Sequence, residues 1–364
     1  MDTRPRTDTR SHSTQPVPQA GCAAGMKNTR SLLGLADLSG AQLQRLLWRA
    51  RELSPVAIGK SSAIDLLGGR TVATAFFEPS TRTRLSFTLA AQRLGAAVID
   101  LAASRSSISK GESMVDTART LEAMGVDAIV MRTTQAGAAH LVSRSVSCPV
   151  VNAGDGKHAH PTQGLLDIAA LAQATDRFDS LDLAGLCVAI VGDIVSSRVA
   201  RSAIAGMTAL GAKVTLVGPA HLVPASMTTL AREPGTVTIE RTLEAVLEEA
   251  DAIMLLRIQF ERHAGNPARA SQRTAPIQSA GVHAAGPIAS IRHYRDACAL
   301  TRARAARMKP GAVLMHPGPV NRGLEIDSEL VDDPRSLIAS QVAWGLAVRA
   351  AALEACMHLL IHLA

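Results

Sequence analysis

Short apolar runs separated by longer amphipathic stretches dominate two regions of this chain. In the first region the runs at 71–75, 97–101, 128–131 and 150–152 predict strands. In the second region the runs at 187–191, 213–217 and 252–256 predict further strands. Helical patterns occupy 85–94, 161–174, 197–210, 243–249 and the segment after 333. Because strands that alternate with helices form βαβ units, we predict an α/β protein with two doubly wound parallel-sheet domains joined by helices.

Composition narrows the class of protein. The 364 residues are 47% hydrophobic with a mean hydropathy of +0.15, and no apolar run approaches the length of a membrane span. Aromatic residues make up 2%, which argues against stacking platforms for single-stranded nucleic acid. The five cysteines are widely spaced without a Cys-x-x-Cys pair. That spacing disfavours a disulfide framework or zinc site and predicts a reducing, cytoplasmic location.

The net charge of +7 is unevenly distributed. The excess of basic over acidic residues lies in the first 30 positions and between 257 and 309, and the remainder of the chain is slightly acidic. A solvated basic face is the favoured interpretation, and a nucleic-acid binder that uses these two segments is the alternative. Residues 1–26 contain almost no large apolar side chains, so we predict a disordered tail there, and 263–290 has the composition of a loop insertion.

The strongest chemical signal follows the first predicted strand, where Pro79 and Ser80 break the apolar run and a helix begins, with Ser80 as its predicted N-cap residue. The free backbone N–H groups and the dipole of a helix start attract an anion. Hydroxyls at Thr81 and Thr83, with planar guanidinium groups at Arg82 and Arg84, would add donors suited to phosphate or carboxylate. The ordinary alternative is a capped helix whose arginines face water.

Other polar residues also follow predicted strands or loops. Lys110 lies in a glycine-punctuated loop, and Arg198 and Arg257 follow strands of the second region. Taken singly, each fits a surface loop or ion pair. His158 and His160 have no companion ligands at metal-site spacing, so we predict no metal. The segment after 191 lacks a Gly-x-Gly-x-x-Gly pattern, so no dinucleotide cofactor is predicted.

The segment Phe76 to Arg84, with its Ser-Thr-Arg-Thr-Arg core, resembles the carbamoyl phosphate loop of the aspartate and ornithine carbamoyltransferases. His160-Pro161-Thr162-Gln163, with Asp167 one turn later, resembles a second motif of that family. The segment His316 to Gly323 is similar to the form found in bacterial aspartate enzymes, and the acidic and Ser-Met-Gly patterns of ornithine enzymes are missing after Leu256. The stretch 263–290 departs from the family pattern.

The resemblance implies an active site in the cleft between the two domains. Its carbamoyl phosphate-binding residues would be Ser80, Thr81, Arg82, Thr83, Arg132, His160, Gln163, Gly318 and Pro319. Its aspartate-binding residues would be Lys110, Arg198, Arg257 and Gln259. The catalytic residues among these would be Arg82, Thr83, Arg132, His160 and Lys110, with Ser106 and Lys110 supplied by an adjacent subunit.

The same resemblance implies a carbamoyl phosphate-binding domain at 27–161 plus 336–364 and an aspartate-binding domain at 162–335. It implies carbamoyl transfer to L-aspartate, an early step of de novo pyrimidine biosynthesis, without a cofactor. Shared sites imply a homotrimer, with a larger assembly containing a regulatory or dihydroorotase-like chain left open, and no nucleic-acid or membrane partner. The alternatives are a transcarbamoylase for ornithine or acylated ornithine, and a non-catalytic scaffold.

Overall fold

Two parallel sheets form the framework of the computed structural model, which describes residues 30–102, 112–258 and 291–358. The first has the strand order β2-β1-β3-β4 and the second the order β7-β6-β5-β8-β9. Every strand pair is parallel. The strands are β1 (Thr71–Phe76), β2 (Ala97–Ala102), β3 (Ala128–Thr133), β4 (Val150–Asp155), β5 (Cys187–Val191), β6 (Lys213–Val217), β7 (Thr236–Glu240), β8 (Ala252–Leu255) and β9 (Val313–Met315).

Helices connect these strands and cover the sheets. In the described part of the chain the α-helices are α1 (Gly40–Ala57), α2 (Thr81–Arg93), α3 (Met114–Ala123), α4 (Ala138–Ser143), α5 (Pro161–Ala174), α6 (Arg198–Ala209), α7 (Ile291–Cys298), α8 (Arg302–Ala305) and α9 (Ile338–Met357). Short 3₁₀ helices occupy Ala225–Leu230, Leu243–Ala245 and Ser328–Asp332. The predicted doubly wound α/β class is confirmed.

The connecting helices α5 and α9 bring the two sheets into one body. Helix α5 is buried along 161–172 and packs against α6 and α9. Helix α9 packs back on α1 and α2, where Arg49 contacts Glu354 at 2.6 Å. The largest apolar cluster includes side chains of both sheets. Burial of apolar surface therefore fixes the position of the second sheet relative to the first, although the predicted domain boundaries stay a prediction.

The sheets place their strand ends where a ligand site is expected. In each sheet the chain reverses its direction of winding beside a central strand, β1 in the first and β5 in the second. Open α/β sheets bind ligands outside the carboxyl ends of the strands at such a switch point. The loops after β1, β3, β4, β5, β8 and β9 therefore determine what the protein can bind.

Two predictions about local structure were wrong or incomplete. The predicted helix over 243–249 is only a 3₁₀ turn at Leu243–Ala245, because the backbone N–H groups of Ala245, Val246 and Glu249 donate to carbonyls three residues back. The Leu247 carbonyl and the Asp251 N–H, which would pair in a continuing helix, bond instead to Lys309 and Cys187. The strands β7 and β9 were not predicted, since β7 alternates between half-buried and exposed residues without an apolar run and β9 is only three residues long. Within the described ranges, none of the helices combines the length and apolarity needed to cross a bilayer.

Candidate active site

The loop after β1 presents a helix start whose donors are not used by a side-chain cap. Ser80 is the N-cap residue of α2, as predicted, but its side chain makes no capping hydrogen bond. Thr83 is buried in the first turn, and the guanidinium group of Arg82 lies against Gly318 in the loop after β9. Gly318 has a φ of 64°, and a Cβ at this position would lie 2.6 Å from Arg82 Nη1. The α2 N-terminus and the loop after β9 thus face the same space.

A single carboxylate joins cations from both sheets. Glu78, in the loop after β1, accepts a hydrogen bond from Arg132 Nη2 of β3 at 2.7 Å. It also accepts hydrogen bonds from Arg198 at the start of α6, at 2.9 Å from Nη1 and 2.6 Å from Nη2. The side chains of Glu78, Arg132 and Arg198 are 18%, 12% and 4% exposed. Buried charges of this kind require a counter-charge, which Glu78 supplies to both arginines.

The loop between β4 and α5 holds the next predicted residue, His160. His160 is buried, precedes α5 as its N-cap residue, and its backbone N–H donates to Ser202 Oγ of α6 at 2.9 Å. Nearby, Arg198 Nη1 donates to the Gly156 carbonyl at 3.1 Å, and Lys157 Nζ donates to Ser196 Oγ at 3.3 Å. These contacts fix the loop after β4 to the start of α6 in the second sheet.

A buried amide and carboxylate network continues from α5 to α9. Gln163 Nε2 and Gln341 Nε2 donate to the same atom, Asp167 Oδ1, at 2.9 Å and 2.7 Å. Gln341 Oε1 accepts the His316 backbone N–H at 3.0 Å. Burial raises the pKa of Asp167 to about 7, against the opposing effect of these hydrogen bonds and of Arg349. The network connects the predicted residue Gln163 with the end of β9.

His316 is a neutral donor at the end of β9. It is buried, and the Gly318 backbone N–H donates to its Nδ1 at 2.8 Å, so that the ring proton resides on Nε2. Burial, together with the charges of Arg82 and Arg257, lowers the pKa of His316 to about 3. Because the charge of Arg257 acts on the pKa of His316, Arg257 lies near the end of β9.

The loop that carries Arg257 is anchored by a second buried carboxylate, Glu325. Its Oε1 accepts hydrogen bonds from the Ile258 backbone N–H at 3.0 Å and from Asn321 Nδ2 at 2.7 Å. The Asn321 backbone N–H donates to Oε2 at 3.0 Å. Burial raises the pKa of Glu325. The loops after β8 and β9 are therefore tied to each other beside the candidate site.

His158 belongs to a separate hydrogen-bonded cluster with His140 and Asp155. The ligand atoms of these three residues lie within 4.8 Å of one another. Asp155 is fully buried, and its oxygens already accept hydrogen bonds from Gly137 N, Ala159 N, Asn152 Nδ2 and His158 Nδ1. The hydrogen bond to Asp155 raises the pKa of His158, and burial lowers that of His140. Asp155 thus shapes the loop before His160, and the prediction of no metal stays a prediction.

The structure can be compared with the predicted site residue by residue. Three predicted residues, Ser106, Lys110 and Gln259, lie outside the described residues. The rest lie at carboxyl ends of strands or the helix starts that follow them: Ser80, Thr81, Arg82, Thr83, Arg132, His160, Gln163, Arg198, Arg257, Gly318 and Pro319. Direct contacts link Arg82 to Gly318, and Glu78 links Arg132 to Arg198. Their roles in binding remain predictions.

Sequence reasoning missed the residues that hold this arrangement together. Glu78 and Asp167 lie inside the motifs, but no role was predicted for either. Their pairing with Arg198 and Gln341 spans 120 and 174 positions, which sequence spacing does not reveal. The available signal was the position itself, because an acidic residue between an apolar strand and an arginine-rich helix start needs a cationic partner when buried.

Family models match almost the whole described chain. Residues 30–173 match the carbamoyl-P binding domain of aspartate/ornithine carbamoyltransferase. Residues 184–356 match the Asp/Orn binding domain of the same family. The chain belongs to the aspartate/ornithine carbamoyltransferase family.

Curated relatives within this family have similar lengths. The aspartate carbamoyltransferase catalytic subunit of Solibacter usitatus is 45% identical over 325 residues, which cover 89% of this chain and 97% of the relative. The catalytic subunit of Myxococcus xanthus is 45% identical over 327 residues, covering 90% of this chain and 99% of the relative. The similarity to members of the carbamoyltransferase family therefore extends over both sheets.

Solved structures show the same fold. Aspartate transcarbamoylase from Trypanosoma cruzi, in complex with carbamoyl phosphate and aspartate, has a TM-score of 0.73 at 28% identity, covering 89% of this chain and 95% of that one. The catalytic subunit of the M. jannaschii enzyme has a TM-score of 0.72 at 29% identity, covering 90% and 98%. Ornithine carbamoyltransferase from Gloeobacter violaceus has a TM-score of 0.70 at 27% identity, covering 90% of this chain and 98% of that one. The carbamoyltransferase fold is thus common to enzymes with different second substrates.

Proposed function

We propose that this protein is an aspartate carbamoyltransferase, which transfers the carbamoyl group of carbamoyl phosphate to the α-amino group of L-aspartate. The products are N-carbamoyl-L-aspartate and phosphate, and the reaction is an early step of de novo pyrimidine biosynthesis. The observation that carries the proposal is the convergence of Arg132 and Arg198, one from each sheet, on Glu78 between them. A site that faces two anionic reactants needs cations from both sides of a cleft.

The phosphate end of the donor fits the start of α2. The backbone N–H groups at the start of α2 and the hydroxyls of Ser80, Thr81 and Thr83 would donate hydrogen bonds to the phosphate, and the helix dipole would favour its negative charge. Arg82 would neutralise the charge that develops on the leaving phosphate, and Arg132 would bridge the phosphate and the carbonyl oxygen. These donors exist before the ligand binds, so they need little reorganisation during the reaction.

The carbamoyl group would lie between α5 and the loop after β9. Thr83, Arg132 and His160 would stabilise the oxyanion of the tetrahedral intermediate. Gln163 and the carbonyl of Gly318, beside Pro319, would accept hydrogen bonds from the carbamoyl nitrogen. The uncharged amine of aspartate would then attack a carbonyl carbon that is held in place, which is catalysis chiefly by positioning.

The aspartate carboxylates would be bound on the side of the second sheet. Arg198 is already held at the cleft by Glu78 and Gly156, and Arg257 lies near His316. Gln259 and, from a neighbouring subunit, Ser106 and Lys110 would complete this part of the site. The proposed domains are accordingly 27–161 plus 336–364 for carbamoyl phosphate and 162–335 for aspartate.

An exposed apolar surface supports the proposed homotrimer. Leu85 and Leu89 of α2 are 52% and 42% exposed, and Ile99 of the edge strand β2 is 45% exposed. Arg84 pairs with Asp100 at 3.1 Å, which brings this face of α2 next to β2. Leu85 and Leu89 lie one helical turn apart on the same face of α2, and exposed large apolar side chains on one helix face are typical of subunit interfaces. A neighbour docked there would contact the α2 side of β2, the strand that precedes Ser106 and Lys110 in the sequence.

A cytoplasmic location is proposed from the chemistry of the cysteines. Cys148, Cys187, Cys298 and Cys356 are all free thiols in the described ranges. Burial raises the pKa values of Cys148, Cys298 and Cys356 to about 12, so these thiols are unreactive. Such cysteines suit a reducing compartment.

The test is carbamoyl transfer by the purified protein. Carbamoyl phosphate should be supplied with L-aspartate, L-ornithine or an N-acylated ornithine in parallel, and each product should be identified by mass. We expect N-carbamoyl-L-aspartate in large excess, and we expect the active material to elute as a trimer from a sizing column. Preference for either ornithine would refute the proposed acceptor, and no transfer to any amine would refute the enzyme.

A further inference from the structure

The buried carboxylate of Asp167 lies between two glutamine side chains. Asp167 is 0% exposed, and its Oδ1 accepts hydrogen bonds from Gln163 Nε2 at 2.9 Å and Gln341 Nε2 at 2.7 Å. Its Oδ2 is buried and, among the described residues, has no hydrogen-bond partner. Gln163 and Gln341 belong to α5 and α9, so one oxygen atom holds side chains from two helices.

The contact with Asp167 decides which end of each amide remains for other partners. A glutamine side chain has an NH₂ group that donates and a carbonyl oxygen that accepts. Because Asp167 Oδ1 accepts from both NH₂ groups, both carbonyl oxygens are turned away from it. Protonation of the unpartnered Oδ2 would leave Oδ1 an acceptor, so this orientation holds for either charge state of Asp167.

The two carbonyl oxygens have different partners. Gln163 Oε1 remains for a ligand at the start of α5. Gln341 Oε1 instead accepts the His316 backbone N–H at 3.0 Å, and His316 Nδ1 accepts the Gly318 backbone N–H at 2.8 Å. These hydrogen bonds fix the turn whose Gly318 carbonyl would be the second acceptor. Helix α5 packs against β9, which brings the two acceptors to the same region.

We propose that Asp167 is a positioning residue that makes the site selective for an acyl phosphate whose carbonyl carbon carries an NH₂ group. It would do so by aiming Gln163 Oε1 directly, and the Gly318 carbonyl through Gln341 and His316, at that NH₂ group. The inference rests on the proposed function. It adds to that function the residue that makes the site prefer an NH₂ group on the carbonyl carbon of its substrate.

Stability alone does not explain this arrangement. An uncompensated buried carboxylate destabilises a fold, and apolar residues of similar size are often neutral or stabilising at such positions. The charged group that faces Asp167 is Arg349, itself fully buried against the Phe87 ring. Leucine at this position would remove the buried carboxylate, and the property that it lacks is the shared acceptor for the NH₂ groups of Gln163 and Gln341.

The experiment uses two stable phosphonates that differ only in the group under test. Phosphonoacetamide carries the NH₂ group, whereas 2-oxopropylphosphonate carries a methyl group in its place. Their affinities for the full-length protein are measured by calorimetry with wild type, Asp167→Leu, Asp167→Asn and Gln341→Leu. Asp167→Asn is the rescue variant, because its amide oxygen can occupy the position of Oδ1.

In wild type we expect tighter binding of the amide. Asp167→Leu should lower the affinity for phosphonoacetamide about tenfold, which corresponds to the loss of about two neutral hydrogen bonds. The affinity for 2-oxopropylphosphonate should change less than about threefold. Gln341→Leu, which releases only the loop after β9, should show about a threefold loss for the amide alone. Asp167→Asn should restore most of the preference.

Each other outcome has a defined meaning. If Asp167→Leu or Gln341→Leu weakens both phosphonates equally, Asp167 supports the fold only and the inference is wrong. If Asp167→Leu does not fold, the other two variants decide. Retained preference for phosphonoacetamide in Asp167→Asn, with a loss of affinity for phosphonoacetamide alone in Gln341→Leu, supports the inference. An equal loss of affinity for both phosphonates in Gln341→Leu overturns it. If wild type binds neither phosphonate, the proposed function fails together with the inference.

Discussion

Replacing Glu78 with glutamine should lower the free energy of unfolding of the protein and at the same time raise its affinity for phosphate. Glu78 is the acceptor for three hydrogen bonds from Arg132 and Arg198. Glutamine has nearly the same shape but lacks the negative charge. The substitution therefore removes the counter-charge of two largely buried guanidinium groups without leaving a cavity.

The expected loss follows from these contacts. A hydrogen bond to a charged group contributes about 1 kcal/mol more than a neutral one, so the three bonds to Glu78 predict about 3 kcal/mol of lost stability. Arg132 also serves the proposed phosphate site, and Glu78 competes for it with an incoming anion. Release of that one hydrogen bond should improve phosphate affinity by about 1 kcal/mol, or about fivefold.

The assay combines urea unfolding at matched chain concentration with calorimetric titration of inorganic phosphate. Glu248→Gln is the control, because Glu248 pairs with Arg307 at 3.2 Å on the surface, where both side chains are at least half exposed. That variant should lose at most about 0.5 kcal/mol and bind phosphate like wild type. Unchanged stability of Glu78→Gln, or weaker phosphate binding, would refute the reasoning.

Three further predictions address the site, the buried carboxylate and the subunit interface. Arg82→Ala should fold normally yet lose most turnover, because the leaving phosphate loses a counter-charge; a folded variant with near-normal rates in the carbamoyl transfer assay would contradict this. The pKa of Asp167 is raised from 3.8 to about 7 by burial, so the unfolded chain releases this proton at lower pH and folding stability falls as pH rises between these values. Between about pH 5 and about pH 8, the free energy of unfolding of Asp167→Asn, measured with urea, should therefore rise by about 2–3 kcal/mol relative to that of wild type. A difference in unfolding free energy that does not change with pH would refute the raised pKa. Leu89→Glu should dissociate the trimer in analytical ultracentrifugation and abolish transfer, whereas Met124→Glu, at a residue 73% exposed elsewhere, should do neither; a trimeric, active Leu89→Glu protein would remove the proposed interface.

The elements most visible in the sequence are those with a strong apolar pattern. The strand at Cys187–Val191 and the helix at Pro161–Ala174 have the predicted bounds, since a continuous apolar run and a proline at the helix start are local signals. The segment 243–249 was wrongly predicted as a helix, because its apolar spacing does not show that the Leu247 carbonyl and the Asp251 N–H bond to Lys309 and Cys187, which are distant in sequence. Local patterns do not report such long-range hydrogen bonds.

The candidate site was partly predictable for the same reason. Arg132 and Arg198 lie next to strand ends, and parallel strands bring their carboxyl ends together, so their convergence follows from the fold. The groups that hold them were not predictable from spacing. Glu78 clamps two arginines, and Asp167 orients two glutamines, only after both sheets have packed through α5 and α9.

Binding of N-(phosphonacetyl)-L-aspartate tests the central claim most directly, because this molecule joins a phosphonate and an aspartate in one ligand. If the strand ends of both sheets form a single cleft, calorimetry should show one molecule bound per chain. Arg82→Ala in the first region and Arg198→Ala in the second should each weaken it by about a hundredfold, the loss expected for one charge-assisted contact. Tight binding that survives either substitution would contradict a site shared by the two sheets.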